Sequence, residues 1–145
     1  MQSLSMHLIL CGLFAASTAF AQEVSVLRDL DSLSPSTLSK ADLQDLIPKA
    51  KMLRVLANGN THIWTNEPDG TFIVSSDNRA TSGRSATGQG KWHITDEGRY
   101  CIFVEWRASS EDWCRFVLKT SDGSYYTTKA LKPATEKVYK FEIKK

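Results

Sequence analysis

From Met52 to the C-terminus the chain alternates apolar and polar residues in short runs, and this pattern restricts its fold more than any other feature. An alternation of period two places apolar side chains on one face of a β-strand. The segments between the runs contain Gly, Asn, Asp or Ser, which are typical of turns. The runs are MLRVLA, THIWTN, TFIVSS, GKWHIT, RYCIFVEW, WCRFVLKT, SYYTTK and KVYKFEI.

This pattern predicts a mainly β fold class. We expect a small antiparallel meander of seven or eight strands that closes into a barrel or folds into a sandwich, lipocalin-like in style. Both arrangements dispose of exposed strand edges, so the sequence leaves the choice between them open. The C-terminal KVYKFEIKK is locally basic, but its alternation favours a half-buried strand with one solvated face over a binding segment.

One short helix is predicted before the meander, in the stretch STLSKADLQDLIPKA. Ser39 can act as its N-cap, with Asp42 three residues later completing a capping box. We expect this helix to cover an open end or an edge of the meander. Its apolar stripe consists of Leu43, Leu46 and Ile47 and is interrupted at Pro48.

The N-terminal stretch has the composition of a secretory signal peptide. It contains no Asp, Glu, Lys or Arg, is apolar from Leu8 to Phe20, and ends in the small-x-small pattern Ala19-Phe20-Ala21. The apolar run is shorter than the roughly 20 residues that a membrane-spanning helix needs. We therefore expect cleavage after Ala21, export to the periplasm, and no transmembrane segment in the mature chain.

The expected organisation is a signal peptide over residues 1–21, a flexible N-terminal segment over 22–34 and a single β-rich domain over 35–145. Cys11 lies within the leader and raises the alternative of a lipoprotein. The sequence disfavours acylation there, because the bulky Leu10 stands where a small residue would precede the cut.

Charge and motifs restrict the function. The 18 basic and 16 acidic residues are interspersed and give a formal net charge of +2, so no electrostatic argument favours a nucleic-acid partner. The sequence contains no Gly-x-Ser-x-Gly elbow, His-Glu-x-x-His pair or phosphate loop. We expect no catalytic residues, no metal and no cofactor. A hydrolase that uses His93 with a carboxylate such as Asp96 is an alternative hypothesis.

Cys101 and Cys114 lie thirteen residues apart on predicted neighbouring strands. A reactive pair is usually closer, as in Cys-x-x-Cys, and structural zinc would need two further ligands, for which only His62 and His93 are available in the mature chain. In an oxidising compartment the pair predicts a disulfide, with a redox-active pair and a metal site as alternatives. The turn-like residues lie late in the intervening segment, so we expect a wide loop between the strands.

Trp64, Trp92, Trp106 and Trp113 are candidates to line a ligand pocket inside the meander. Their positions on strands favour core packing, because aromatic side chains dominate burial in small β domains. Glu105 lies on a largely apolar face of its predicted strand, so we expect it to need an ion-pair partner. The candidate partners are Arg107 and Arg115.

Two polar loops suggest a function other than ligand binding inside the meander. Residues 77–90 lack a hydrophobic pattern and carry Arg79 and Arg84, which could contact an anion or a carboxylate. Residues 107–112 form a second loop that includes Arg107. A protein-interaction or inhibitor module acting through these loops is therefore the alternative to a binding module for a small apolar or envelope-derived ligand.

The series IWTNEPDGTF, GQGKWHITDEGRYCIFVEW, WCRF and DGSYY resembles an uncharacterised family of small exported proteobacterial proteins, domain of unknown function 995. The resemblance extends from Leu38 to Ile143 and rests on Gly90-Lys91-Trp92, the Gly98 turn and the two cysteines. It implies an exported, periplasmic β-rich domain and no known activity. Periplasmic lysozyme inhibitors are similar in size and class only, since no tyrosine follows Ser82-Gly83-Arg84-Ser85-Ala86 as their loop requires.

Overall fold

Eight antiparallel strands form a closed barrel in the computed structural model, which describes residues 23–78 and 83–145. Each of β2 to β8 pairs with the next strand, and β9 pairs with β2 to close the ring, while β1 adds to β7 from outside. The predicted mainly β class is confirmed, and the barrel is the arrangement adopted. The strands are β1 (Ser36–Thr37), β2 (Lys51–Val55), β3 (Thr61–Thr65), β4 (Thr71–Ser76), β5 (Ala86–Ile94), β6 (Tyr100–Glu105), β7 (Ser110–Lys119), β8 (Tyr125–Thr128) and β9 (Val138–Lys144).

The predicted helix is confirmed as α1 (Lys40–Leu46), with Ser39 as its N-cap in a capping box with Asp42. Leu43 and the adjacent Ile47 are fully buried in the main core, so α1 covers the end of the barrel where β2 and β6 begin. We call this the plugged end. Its core packs Leu43, Ile47, Ala50, Met52, Trp64, Tyr100, Phe141 and Ile143 together.

A 3-10 helix, Leu27–Leu33, lies in the segment 22–34 that the sequence predicts to be flexible. Leu30 is fully buried there against the outer face of the barrel, with Leu118, Tyr126 and Val138. Apolar residues at irregular spacing suffice for a short 3-10 segment, which has no 3.6-residue period to recognise. The segment thus forms a second, smaller core outside the barrel.

Strand β5 corrects the predicted bounds of the first polar loop, 77–90. Residues Ala86 to Gly90 belong to β5, and the connection from β4 ends before them. Gly88 and Gly90 face the barrel interior, and a Cβ on Gly90 would lie 2.1 Å from the Phe72 ring. The glycines therefore leave space for large side chains on neighbouring strands, and a sequence that looks like a loop forms a strand.

The β6–β7 hairpin corrects the other loop prediction. Cys101 and Cys114 are directly opposite and form a disulfide with a Cα–Cα distance of 4.0 Å. The strands continue to the pair Glu105–Ser110, and the Trp106 N–H donates to the Ser109 carbonyl at 2.8 Å. The expected wide loop over 107–112 is thus wrong, because cross-strand pairing extends into its second half and leaves a four-residue connection.

Part of the expected organisation lies outside the described residues. The signal peptide over 1–21, with Cys11, and the loop residue Arg79 belong to this part. Among the residues that are described, no helix is long and apolar enough to cross a membrane.

We expect Gly90→Ala to destabilise the barrel by about 2 kcal/mol, because the added methyl group overpacks the interior against Phe72. Gln89→Ala, on the outward face of the same strand, is the matched control and should change stability by less than about 0.5 kcal/mol. Chemical denaturation measures both. Equal stability of Gly90→Ala and the wild type would contradict the close packing, and a partial rescue of Gly90→Ala by Phe72→Leu would locate the overpacking at that ring.

Reduction of the Cys101–Cys114 disulfide should lower the free energy of unfolding by about 3 kcal/mol, the value that chain-entropy arguments give a loop of this length. Denaturation of the oxidised and the reduced protein measures this difference. The double variant Cys101→Ser/Cys114→Ser should reproduce the reduced protein. A difference in the free energy of unfolding close to zero would contradict this prediction. It would show that the disulfide does not restrict the unfolded chain more than residual hairpin pairing already does.

Candidate functional site

The end of the barrel opposite α1 carries charged and polar side chains on the interior face. We call it the polar end and define it by Arg54 of β2, His62 of β3, and Glu111 and Arg115 of β7. Arg54 is opposite His62 in the β2–β3 ladder, and Glu111 is opposite the buried Val104, so the pleat turns these side chains inward. Arg54 and His62 are buried.

Arg54 and Glu111 form the central ion pair of the polar end. Arg54 Nη2 donates to Glu111 Oε1 at 2.5 Å, and the indole N–H of Trp113 donates to the same oxygen at 2.7 Å. Burial by itself would raise the pKa of Glu111, but the Arg54 charge and these two hydrogen bonds outweigh it and hold the pKa below its ordinary value. Glu111 is therefore ionised at neutral pH and neutralises Arg54.

His62 is the neutral member of this cluster. Burial, together with the nearby Arg54 charge, lowers the pKa of its imidazole. Arg54 Nη2 lies 3.1 Å from His62 Nδ1. Because a guanidinium can only donate, Nδ1 accepts this bond, and the proton of the neutral ring resides on Nε2. The imidazole also contacts Trp106, with ring centroids 5.0 Å apart.

Arg115 is the second interior cation, and its surroundings differ from those of Arg54. Its guanidinium carbon lies 4.4 Å from the Trp113 ring centroid and 4.3 Å from that of Tyr139. Its Nη1 donates a 3.4 Å hydrogen bond to Thr127 Oγ1. Within residues 23–78 and 83–145, no carboxylate forms a salt bridge with it. Burial, followed by the Arg54 charge, lowers its pKa.

The barrel wall opens beside Arg115. The β2–β9 ladder ends at the pair Leu53–Glu142, so Arg54 and Val55 separate from the first half of β9. This separation leaves a cleft of about 820 Å³. Arg54, Arg115, Tyr139 and Phe141 line its inner part, and Leu53, Val55, Val138, Glu23, Lys140 and Glu142 line the rim and outer part.

The four tryptophans do not gather around one cavity. Trp64 is buried at the plugged end, where its N–H lies near both Asn66 Oδ1 and the Tyr100 hydroxyl. Trp92 is half-buried, and its N–H donates to the Glu67 carbonyl at 2.8 Å. Trp106 and Trp113 are half-buried at the polar end, where they pack on His62 and Arg115. Their role as a ligand lining stays a prediction.

Two of the three predicted loop arginines, Arg84 and Arg107, lie beside the polar end. The connections 77–85 and 106–109 both join strands there, and Arg84 and Arg107 are exposed on them. Asn78 Nδ2 donates to the Arg84 carbonyl at 2.6 Å. Arg79 lies outside the described residues. A partner contact through these loops stays a prediction.

The interior carboxylate of this region is Glu111, not Glu105 as the sequence suggests. Glu105 is exposed on the outer face, so the expected ion pair with Arg107 or Arg115 does not form. The interior carboxylate is Glu111, which the sequence analysis did not single out. The direct opposition of the two cysteines is the signal that finds it, because that register places Glu111 across from Val104.

His93 and Asp96 do not form a catalytic pair in the described structure. His93 is exposed on the outer face of β5, and Asp96 accepts an ion-pair hydrogen bond from Lys40 at 2.6 Å. His93 instead lies beside the disulfide, and one of its ring nitrogens and the two sulfur atoms all lie within 4.8 Å of one another. The hydrolase hypothesis therefore gains no support from this geometry.

Comparison with known proteins identifies a family to which the chain is similar. No curated protein and no solved structure is significantly similar to the chain. A family described as protein of unknown function (DUF995) matches residues 14–139. The matched region contains every strand of the barrel up to the start of β9, both cysteines and all four residues that define the polar end. The chain therefore belongs to the DUF995 family of proteins of unknown function.

Proposed function

We propose that the barrel binds a small amphipathic anion, an organic carboxylate with an apolar chain or ring, in the cleft between β2 and β9. The observation that carries this proposal is the position of Arg115. It places a guanidinium inside the barrel, stacked on two rings and beside an open cleft, without a carboxylate partner among the described residues.

The charges of the polar end favour an anion. Glu111 neutralises Arg54, and His62 is neutral, so Arg115 leaves an excess of one positive charge. Removing a charge from water is costly unless it is paired, and stacking on aromatic rings offsets only part of that cost. A carboxylate can accept two parallel hydrogen bonds from a guanidinium. The exposed rim charges of Glu23, Lys140 and Glu142 are screened by solvent and contribute less.

The remaining surface of the cleft suits an apolar group. Tyr139 is 44% exposed and Val55 is 64% exposed, although both belong to strands of the barrel wall. The cleft volume of about 820 Å³ lies within the range of small-molecule sites. A ligand with a ring or chain would cover this surface while its carboxylate contacts Arg115. This ligand is more polar than the small apolar molecule that the tryptophans suggest.

We further propose that the protein acts in the periplasm or at the envelope. The apolar leader supports export, and the Cys101–Cys114 disulfide is typical of an oxidising compartment. A binding module for amphipathic carboxylates fits this location, because it requires neither a cofactor nor a nucleotide.

The proposal predicts a dependence on the ligand's charge. The test compares 8-anilino-1-naphthalenesulfonate, whose sulfonate stands in for the carboxylate, with the uncharged N-phenyl-1-naphthylamine, which has the same rings. Arg115→Gln should weaken binding of the sulfonate roughly tenfold or more, because a charge-assisted hydrogen bond is worth about 1.5–3 kcal/mol. Binding of the uncharged probe should change by less than about threefold, and fluorescence titration measures both.

Arg107→Gln is the matched control, since it removes an exposed arginine outside the cleft and should leave both affinities unchanged. An equal loss for the two probes in Arg115→Gln would show a general disruption of the cleft. An unchanged affinity for the sulfonate would contradict the assignment of Arg115.

A second prediction concerns the ion pair between Arg54 and Glu111, which neutralises the Arg54 charge. Because the pKa of Glu111 is lowered on folding, ionised Glu111 stabilises the fold above its unfolded pKa of about 4.3, and this contribution is lost as the pH falls through the lower folded value. Glu111→Gln should cost about 2 kcal/mol at pH 7. The difference from the wild type should shrink on acidification below about pH 4, as measured by denaturation across that range.

Asp112→Asn provides the control for this experiment, because Asp112 is the exposed neighbour of Glu111 on the same strand. Its effect on stability should be small at every pH. A difference between Glu111→Gln and the wild type that stayed constant down to pH 2 would rule out the ionised form as its source.

A further inference from the structure

Three potential metal ligands lie in a row on the outer face of the barrel. His93 of β5 is opposite Cys101 of β6, which is opposite Cys114 of β7. The donor atoms of the three side chains all lie within 4.8 Å of one another. The imidazole of His93 is thus a third potential ligand beside the two cysteines of the disulfide.

A zinc site sets the distances that the three donor atoms would have to reach. Two sulfur atoms that bind one tetrahedral zinc ion at about 2.3 Å lie about 3.8 Å apart, and a sulfur and an imidazole nitrogen lie about 3.6 Å apart. In the disulfide the two sulfur atoms are bonded and therefore closer than this, so binding requires reduction and side-chain rotations that separate them, while all three donor atoms already lie within 4.8 Å of one another. The strands hold all three Cα atoms in register.

We propose that the reduced protein binds one Zn²⁺ ion through Cys101, Cys114 and His93, so that the disulfide and the metal site are alternative states of one site. A dithiol reductant would open the disulfide: its two thiols lose two electrons and two protons and become a disulfide, while Cys101 and Cys114 become thiols. Zn²⁺ then displaces the two cysteine protons, because thiolate is the ligand form. The third ligand is a ring nitrogen of His93.

The chemistry of the donor set favours Zn²⁺ or another soft cation. Two thiolates and an imidazole are preferred by zinc and by Cu⁺ rather than by Mg²⁺ or Ca²⁺. His93 is exposed, so the fourth position of a tetrahedral ion faces solvent and can hold water. This site lies on the face of β7 opposite the cleft and shares no residue with the site proposed for the carboxylate.

The experiment uses the full mature chain, with Zn²⁺ as the probe and a phosphine as the reductant. The phosphine is oxidised to its oxide, with water supplying the oxygen, and adds no competing thiol. Equilibrium dialysis should find about one Zn²⁺ per reduced chain and none per oxidised chain. His93→Ala should weaken binding by roughly tenfold or more, since even outer-sphere partners of metal ligands contribute that much. Lys91→Ala, two residues away on the same face, is the control and should bind normally.

Several results would overturn the proposal. The first is a folded, reduced protein that binds no Zn²⁺. The second is equal Zn²⁺ affinity of the oxidised and the reduced protein. The third is equal Zn²⁺ affinity of the reduced His93→Ala variant and the reduced wild type. If reduction unfolds the chain, Zn²⁺ should restore the fold by mass action, and His93→Ala should need a higher Zn²⁺ concentration for the same recovery. Circular dichroism measures the recovery of the fold. Failure of Zn²⁺ to restore it would also overturn the proposal.

Discussion

The short contact between β2 and β9 is the constraint on which the architecture depends. Three residue pairs, Lys51–Lys144 to Leu53–Glu142, close the ring, and the ladder stops there. If the contact were absent, the sheet would expose two edges. If it continued to Val55, the wall beside Arg115 would be sealed. A closure this short gives a barrel that α1 covers at the plugged end and that opens sideways at the polar end.

The barrel interior is apolar toward the plugged end and charged at the polar end. Both the volume and the charge of the inward-facing side chains account for this division. Phe72 and Trp64 stack in the interior between the polar end and α1, and this is possible because Gly90 presents no side chain across from Phe72. Beyond that layer, Arg54 and Glu111 replace apolar residues, and each neutralises the charge of the other, although the buried Arg54 Nε has no hydrogen-bond partner among the described residues. The aromatic layer keeps the polar end away from α1, so the ion pair is part of the open end and not of the sealed core.

The sequence predicts the fold class because alternation records which residues face inward, but it cannot distinguish a barrel from a sandwich, since both bury one face of each strand. It fails at β5, where inward-facing glycines erase the alternation. It also fails at the site. In MLRVLA the interior residues are Met52 and Arg54, whereas Leu53 and Val55 face outward, so the apolar pattern is reversed where the polar end begins. An arginine in a strand is normally assigned to the solvent face.

One strand connects the cleft with the group around the disulfide. On β7, Cys114 faces outward between Trp113 and Arg115, which both face inward. The pairing of β7 with β8 covers only Phe116 to Lys119, so its first half is held by β6 on one side alone. The disulfide therefore links the segment that carries Arg115 to β6 on the outer face of the sheet, beside the backbone pairing of the same two strands. Because binding equilibria that share one element are linked reciprocally, a change in the state of the cysteines and a ligand in the cleft would act on the same strand.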